Sequence, residues 1–190
     1  MKLPPPKKKG SFTLEETLER RRSKRSFLPK RLGPEQIGQL LWAAQGAFPR
    51  GRRTVPSAGG IYPLELYLVT RDNVQQYVPQ DHELVETQHG NVVQQLCEAA
   101  GGQEFVREAP ASIVIAADRR AMEGRYGERA ERYICLEVGH AAQNIHLQAV
   151  ALGLGSVPVG AFDDDQVHSV LKLPDEQWPL CIIPVGYAAE

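Results

Sequence analysis

The sequence predicts an α+β protein with a mixed sheet flanked by helices. Three observations carry that prediction. Helical and strand periodicities are interspersed along the 190 residues, only some of the strands could be joined by helical crossovers, and no repeat is present. The length suits one domain, with residues 1–11 as an extended arm and 12–190 as a single folded unit.

The elements follow in order. Pro4-Pro5-Pro6 favours polyproline II and Lys7-Lys8-Lys9 repel one another, so the arm reads as extended and solvated. Thr13 followed by Glu16 is a capping box, which starts a helix carrying Leu14 and Leu18. That helix is expected to end in the basic run Arg20–Arg25, closed by Phe27-Leu28-Pro29. Gly33-Pro34-Glu35 opens a second helix, whose Ile37, Leu40, Leu41 and Ala44 share one apolar face. A Gly- and Pro-rich loop over 49–63 leads into a strand over 64–70. A hairpin is expected from Tyr77–Pro79 and His82–Thr87, a helix over 91–100 and a buried strand over 111–117. The longest helix should cover about 130–152, ended by Gly153. A strand at Ser156–Val159, a short helix near 164–171 and a last strand over 180–187 complete the chain.

Composition narrows the classes of function. Apolar residues are 42% and charged ones 24%, as in soluble globular chains. Lys plus Arg is 22 against 23 for Asp plus Glu, giving a net charge of −1, which offers no support for a nucleic-acid or anionic-membrane partner. No apolar run approaches the roughly 20 residues that span a bilayer, and the basic N-terminus lacks the apolar stretch of a signal peptide. The cytoplasm is the expected compartment. Cys97, Cys135 and Cys181 form no CxxC pair and read as small buried hydrophobes.

Three segments could carry chemistry. Arg21, Arg22, Ser23 and Arg25 place guanidinium forks and a hydroxyl within five residues, a set suited to a phosphate; taken alone, the same residues read first as a solvated helix end. Ser57-Ala58-Gly59-Gly60 precedes a strand, and its glycines would let backbone approach a flat ligand, or simply turn. It lacks the GKS or GKT of a Walker loop, and no GxGxxG follows a strand. Pro158-Val159-Gly160 follows the long helix, and Asp163-Asp164-Asp165 caps the next one rather than ligating a metal. His140 and His146 lie six apart on the long helix, on different faces, so no metal site is expected. There is no GxSxG elbow. With neither a protein nucleophile nor a metal in evidence, a bound cofactor is the better carrier of the chemistry.

Taken in order, LEETLERRRSKRSF, LLWAAQG, PSAGGIYPLELYLV, GRYGERAERYICLEVGHAAQNIHLQAVALGLGSVPVGAFDD and PLCIIPVGY resemble the nitroreductase family. Within it they are most similar to the SagB-type (thiazoline/oxazoline oxidase-like) branch, from Leu3 to Tyr187. The resemblance implies the nitroreductase fold, with a mixed, mainly antiparallel central sheet flanked by helices, in an intertwined homodimer with FMN at the interface. Arg21, Arg22, Ser23 and Arg25 would hold the FMN phosphate and ribityl chain. Ser57, Ala58, Gly59 and Gly60 would lie along the ring edge across the dimer, Pro158, Val159 and Gly160 near its reactive N5, and the helix with Gln143 and Asn144 at the dimer core.

The activity so implied is hydride transfer from NAD(P)H through FMN to a small electrophilic acceptor, in ping-pong order. Alternatives are a flavin-dependent dehydrogenase or oxidase of a dedicated metabolite or peptide, and a flavin-binding protein without turnover. Two departures from the family pattern stand out. Ala188-Ala189-Glu190 supplies no basic residue after the last strand. Arg125-Tyr126 replaces the Lys-Tyr pair of azoline oxidisers, and Arg cannot act as a base. Tyr126 is a candidate for the substrate pocket; no general acid stands out.

Overall fold

A computed structural model of the chain describes residues 1–189. The elements are α1 (Leu14–Arg20), α2 (Pro34–Gln45), β1 (Leu64–Val69), β2 (Asn73–Val78), β3 (Glu83–His89), α3 (Val93–Ala99), α4 (Glu104–Glu108), β4 (Ala111–Asp118), α5 (Arg119–Tyr126), α6 (Ala130–Ala151), β5 (Gly155–Ser156), α7 (Asp164–Leu171) and β6 (Gln177–Gly186).

The six strands form one sheet in the order β3-β2-β1-β4-β6-β5. Every pairing between them is antiparallel. The one parallel bridge found among the described residues, Ser23 to Ser156, joins the link after α1 to the edge strand β5. Period-two alternation sends the two faces of each strand into two cores. Ile113, Ile115, Leu66, Leu68 and Ile183 pack on the face covered by α2 and α6. Val114, Tyr67, Val69 and Ile182 pack on the other face with residues of α3 and α7. Each fully buried Ile or Leu contributes about 1.5–3 kcal/mol, so the central strand β4, buried on both faces, ties the layers together.

Helix α6 presents Ile134, Ala141, Ile145 and Ala149 inward at helical spacing. Asn144 donates to the Ala43 carbonyl at 3.0 Å and ties α6 to α2. Arg132, Cys135, Leu136, Gly139, His140 and Gln143 lie exposed along the outer side of α6.

Several expectations are corrected. The basic run does not extend α1. The helix closes at Arg21, whose N–H donates to the Thr17 carbonyl at 3.0 Å while its ψ turns to 119°, and only Arg20 lies in the last turn. The first hairpin strand begins at Asn73 rather than Tyr77, and α4 and α5 form where no helix was expected. Strand β5 is only two residues long, with Val159 joined to Ile182 by a separate bridge. Cys135 is exposed, while Cys97 and Cys181 are buried. The arm is extended but docked rather than freely solvated: Leu3 is buried, its N–H donates to the His82 carbonyl, and Gln39 bonds the Lys7 backbone in both directions. No helix among the described residues is long and apolar enough to cross a membrane.

Candidate active site

Two of the three segments meet. Beyond Arg21 the chain runs extended beside β5 and the tail. Ser23 pairs with Ser156, the Lys24 N–H donates to the Ser156 carbonyl at 3.0 Å, and the Ala189 N–H donates to the Ser26 carbonyl at 3.0 Å. Gly155 permits the approach, since a Cβ there would lie 2.7 Å from Lys24 Cβ and 3.1 Å from Ala188 Cβ. The strip continues into Pro158–Gly160, where Val159 exchanges two backbone bonds with Ile182 and buries its side chain, leaving Pro158 and Gly160 exposed.

Beneath this strip is a polar relay that the sequence did not single out. His146 of α6 is only 3% exposed. Its Nδ1 lies 2.6 Å from Ser156 Oγ and its Nε2 3.2 Å from Arg21 Nη1. Arginine only donates, so Nε2 is the acceptor and the proton sits on Nδ1, facing the Ser156 oxygen. Burial, helped by the Arg21 charge, lowers the imidazole pKa from 6.5 to about 4. Arg22, Ser23, Lys24 and Arg25 are exposed, and none of these cations is in the ion pairs found among the described residues.

The third segment lies elsewhere. Ser57 and Ala58 are half-buried and bound internally: Ser57 Oγ and the Ala58 N–H both donate to Glu137 Oε1 at 2.9 Å, and the Tyr62 N–H donates to Ser57 Oγ at 2.8 Å. These two residues therefore anchor the loop, and the exposed Gly59 and Gly60 are what it presents. Both glycines have left-handed φ, +61° and +67°. A Cβ on Gly59 would lie 2.5 Å from the Tyr126 hydroxyl and 2.8 Å from Arg125 Cζ, so α5 rests directly on the loop. Arg125 Nη1 donates to the Gly59 carbonyl at 3.3 Å, and the Tyr126 and Tyr133 rings meet edge to face at 4.9 Å. Glu137 is 3% exposed and its Oε2 is buried without a partner. Burial raises its pKa above the usual 4.5, against the lowering effect of the two donors and His140.

Glu137 and His146 are nine residues apart on α6. At about 3.6 residues per turn and 1.5 Å per residue they face opposite sides, roughly 13 Å apart along the axis. One chain thus carries a basic strip with exposed cations and, across the helix, a glycine loop with an aromatic wall. Cations and a hydroxyl on extended backbone fit a phosphate; left-handed glycines fit the edge of a flat ring. The two sets are divided between two faces of the molecule. A buried Glu among Ile134, Val138 and Ala141, and a His among Ala142, Ile145 and Ala149, were the available sequence signals for the two anchors.

Comparison with known proteins gives a consistent result. A sequence model of the nitroreductase family matches residues 18–187. A Methanocaldococcus jannaschii protein that carries a provisional nitroreductase name is 41% identical over 184 residues, covering 93% of this chain and 92% of that one. An NAD(P)H-linked FMN reductase of Bacillus subtilis is 26% identical, covering 89% of this chain and 63% of its own. The crystal structure of a protein from Ralstonia eutropha, also provisionally named a nitroreductase, superposes with a TM-score of 0.91 at 28% identity, covering all of this chain and 90% of that one.

Proposed function

The chain belongs to the nitroreductase family of oxidoreductases, and from that premise we propose that it acts as a homodimer that closes two FMN sites between its subunits, using NAD(P)H as electron donor. The observation that carries this reading is the division of one complementary set of groups between opposite faces of α6. Each face holds half of an FMN site, and a second copy supplies the other half. The Bacillus relative named as an FMN reductase supports the cofactor and the donor. The exposed side of α6, with Leu136 54% exposed beside Gly139, supports the contact.

FMN held there would supply two-electron hydride chemistry between a nicotinamide donor and a small electrophilic acceptor such as a nitroaromatic or quinone. The protein's own part is placement and charge. Arg21, Arg22 and Arg25 would neutralise the phosphate, with the Ser23 hydroxyl beside them. Gly59 and Gly60 bring bare backbone to the ring edge, held by the Glu137 bonds to Ser57 and Ala58. Gly160 ends the strip that continues from the cations, and its backbone N–H would stabilise negative charge there, since Pro158 has no N–H and that of Val159 is bound to Ile182. Tyr126 walls the open face where donor and acceptor alternate.

A second reading, oxidation of a dedicated substrate as in the SagB-type branch, draws on the position of Arg125-Tyr126 against Gly59. Arg125 stays protonated and so cannot serve as a base, which weighs against azoline dehydrogenation.

The test is the visible spectrum of the purified protein before and after anaerobic NADPH or NADH. A flavin band that bleaches supports the cofactor and the electron donor. A flavin band that stays oxidised with both nucleotides removes the NAD(P)H step and favours the second reading. No flavin band after incubation with FMN refutes the cofactor.

A further inference from the structure

We propose that His146 is a positioning residue for the FMN phosphate: as the neutral Nδ1–H tautomer, it fixes Arg21 at the head of the basic strip. The proposal rests on the FMN reading above and adds a residue that touches no ligand. Three observations carry it. The ring is buried, with both nitrogens within hydrogen-bonding distance of named partners. Those partners come from the two segments that build the strip, Arg21 from the link after α1 and Ser156 from β5. The backbone bond between Lys24 and Ser156 closes the same unit from outside.

The chemistry of the ring makes the arrangement directional. Ser156 takes the Nδ1 proton, so Nε2 must present its lone pair to Arg21. With one guanidinium nitrogen held from below, the side chain keeps its remaining donors at the surface in a fixed orientation, beside Arg22 and Arg25. A protonated ring would have no lone pair to offer, and its pKa of about 4 keeps it neutral in ordinary buffers. A free arginine would have to be ordered at the moment of binding, at a cost in affinity.

The experiment compares FMN with riboflavin, which lacks only the phosphate. Affinities of both are measured by flavin fluorescence quenching on the full chain. The ratio of the two isolates the phosphate contribution, which a merely structural defect would leave unchanged. His146→Leu is expected to lower that ratio by about tenfold, with riboflavin affinity changed less than about twofold. His146→Gln, which can accept from Arg21 and donate to Ser156, should restore most of it. Ser156→Ala, a milder change that leaves the ring in place but frees its tautomer, should lower the ratio by roughly two- to fivefold. In an Arg21→Ala background His146→Leu should produce no further fall, because the two act through one interaction.

A ratio unchanged in both His146→Leu and Ser156→Ala, or losses at His146 and Arg21 that simply add, would overturn the proposal while leaving the flavin site standing. Wild-type protein that binds FMN no more tightly than riboflavin would overturn the phosphate cradle itself, and this proposal with it. Should His146→Leu fail to fold, the Ser156→Ala and His146→Gln ratios decide alone.

Discussion

Near its N-terminal end α6 buries a carboxylate, Glu137, under the Ser57–Gly60 loop; near its C-terminal end it buries an imidazole, His146, under the basic strip. Both are 3% exposed, and both hold a surface segment in place from behind. They differ in what burial does to their charge. Burial raises the Glu137 pKa and lowers that of His146, so each is driven toward its neutral form. Glu137 receives two donors and keeps one oxygen unpartnered, whereas both His146 nitrogens have partners. The Glu137 Oε2 atom is thus the one polar side-chain atom of the two anchors that has no partner among the described residues.

The largest expected effect breaks the loop side. Glu137→Ala orphans the Ser57 hydroxyl and the Ala58 N–H and leaves a void, a loss of about 4 kcal/mol in urea unfolding. Glu137→Gln keeps an acceptor for both donors and should cost far less. A Glu137→Ala protein of wild-type stability would show that the loop needs no anchor.

The next effect sets the two sides against each other through pH. An unfolded chain protonates its imidazole below 6.5, the folded chain only below about 4. Between those values acid favours unfolding, so stability should fall as pH drops through that window, by on the order of 3 kcal/mol in total. His146→Gln should flatten this acid limb. Glu137 acts in the opposite sense. Its folded pKa lies above 4.5, so the folded chain keeps a proton that the unfolded chain has released. Stability is therefore lost as pH rises from 4.5 through the folded value, and Glu137→Gln should remove that decline. Thermal melts across the pH range separate the two limbs.

Smaller changes sharpen the picture. Gly59→Ala forces a side chain into a left-handed turn against Tyr126 and Arg125, at a cost of about 1–2 kcal/mol. Turnover should fall further than that stability loss implies, because the aromatic wall moves. Gly139→Ala is the mildest. The site is exposed in mid-helix with nothing within 4 Å of the added carbon, so helix propensity alone would stabilise the chain by up to about 1 kcal/mol. If this face meets a second copy, sedimentation should instead show a weakened dimer.

Much of the scaffold was legible because its signals are local and strong. The expected strand over 64–70 and the long helix over 130–152 match Leu64–Val69 and Ala130–Ala151 almost to the residue. The capping box at Thr13 and the Asp163 cap also form. By contrast, α5 is short and polar, with only Met122 buried, so its periodicity carried no signal. The start of β2 reads Asn-Val-Gln-Gln, polar because that part of the strand is only half covered. The candidate segments were legible as motifs, but their anchors were not. Arg21 meets His146 across 125 positions and Ser57 meets Glu137 across 80, and no local pattern encodes such pairs. The basic run showed its charge but not its departure from the helix, which depends on pairing with β5.

The most direct test of the divided site is complementation between two damaged chains. One carries Arg22→Ala and Arg25→Ala, breaking the strip; the other carries Gly59→Val, breaking the loop. Each alone should bind FMN weakly. Co-expressed with different tags and purified as the mixed pair, they should bind one flavin per pair with wild-type affinity, because one of the two sites joins intact halves. A mixed pair that binds no better than its parents would mean that strip and loop serve the same site within one chain, and would contradict the account.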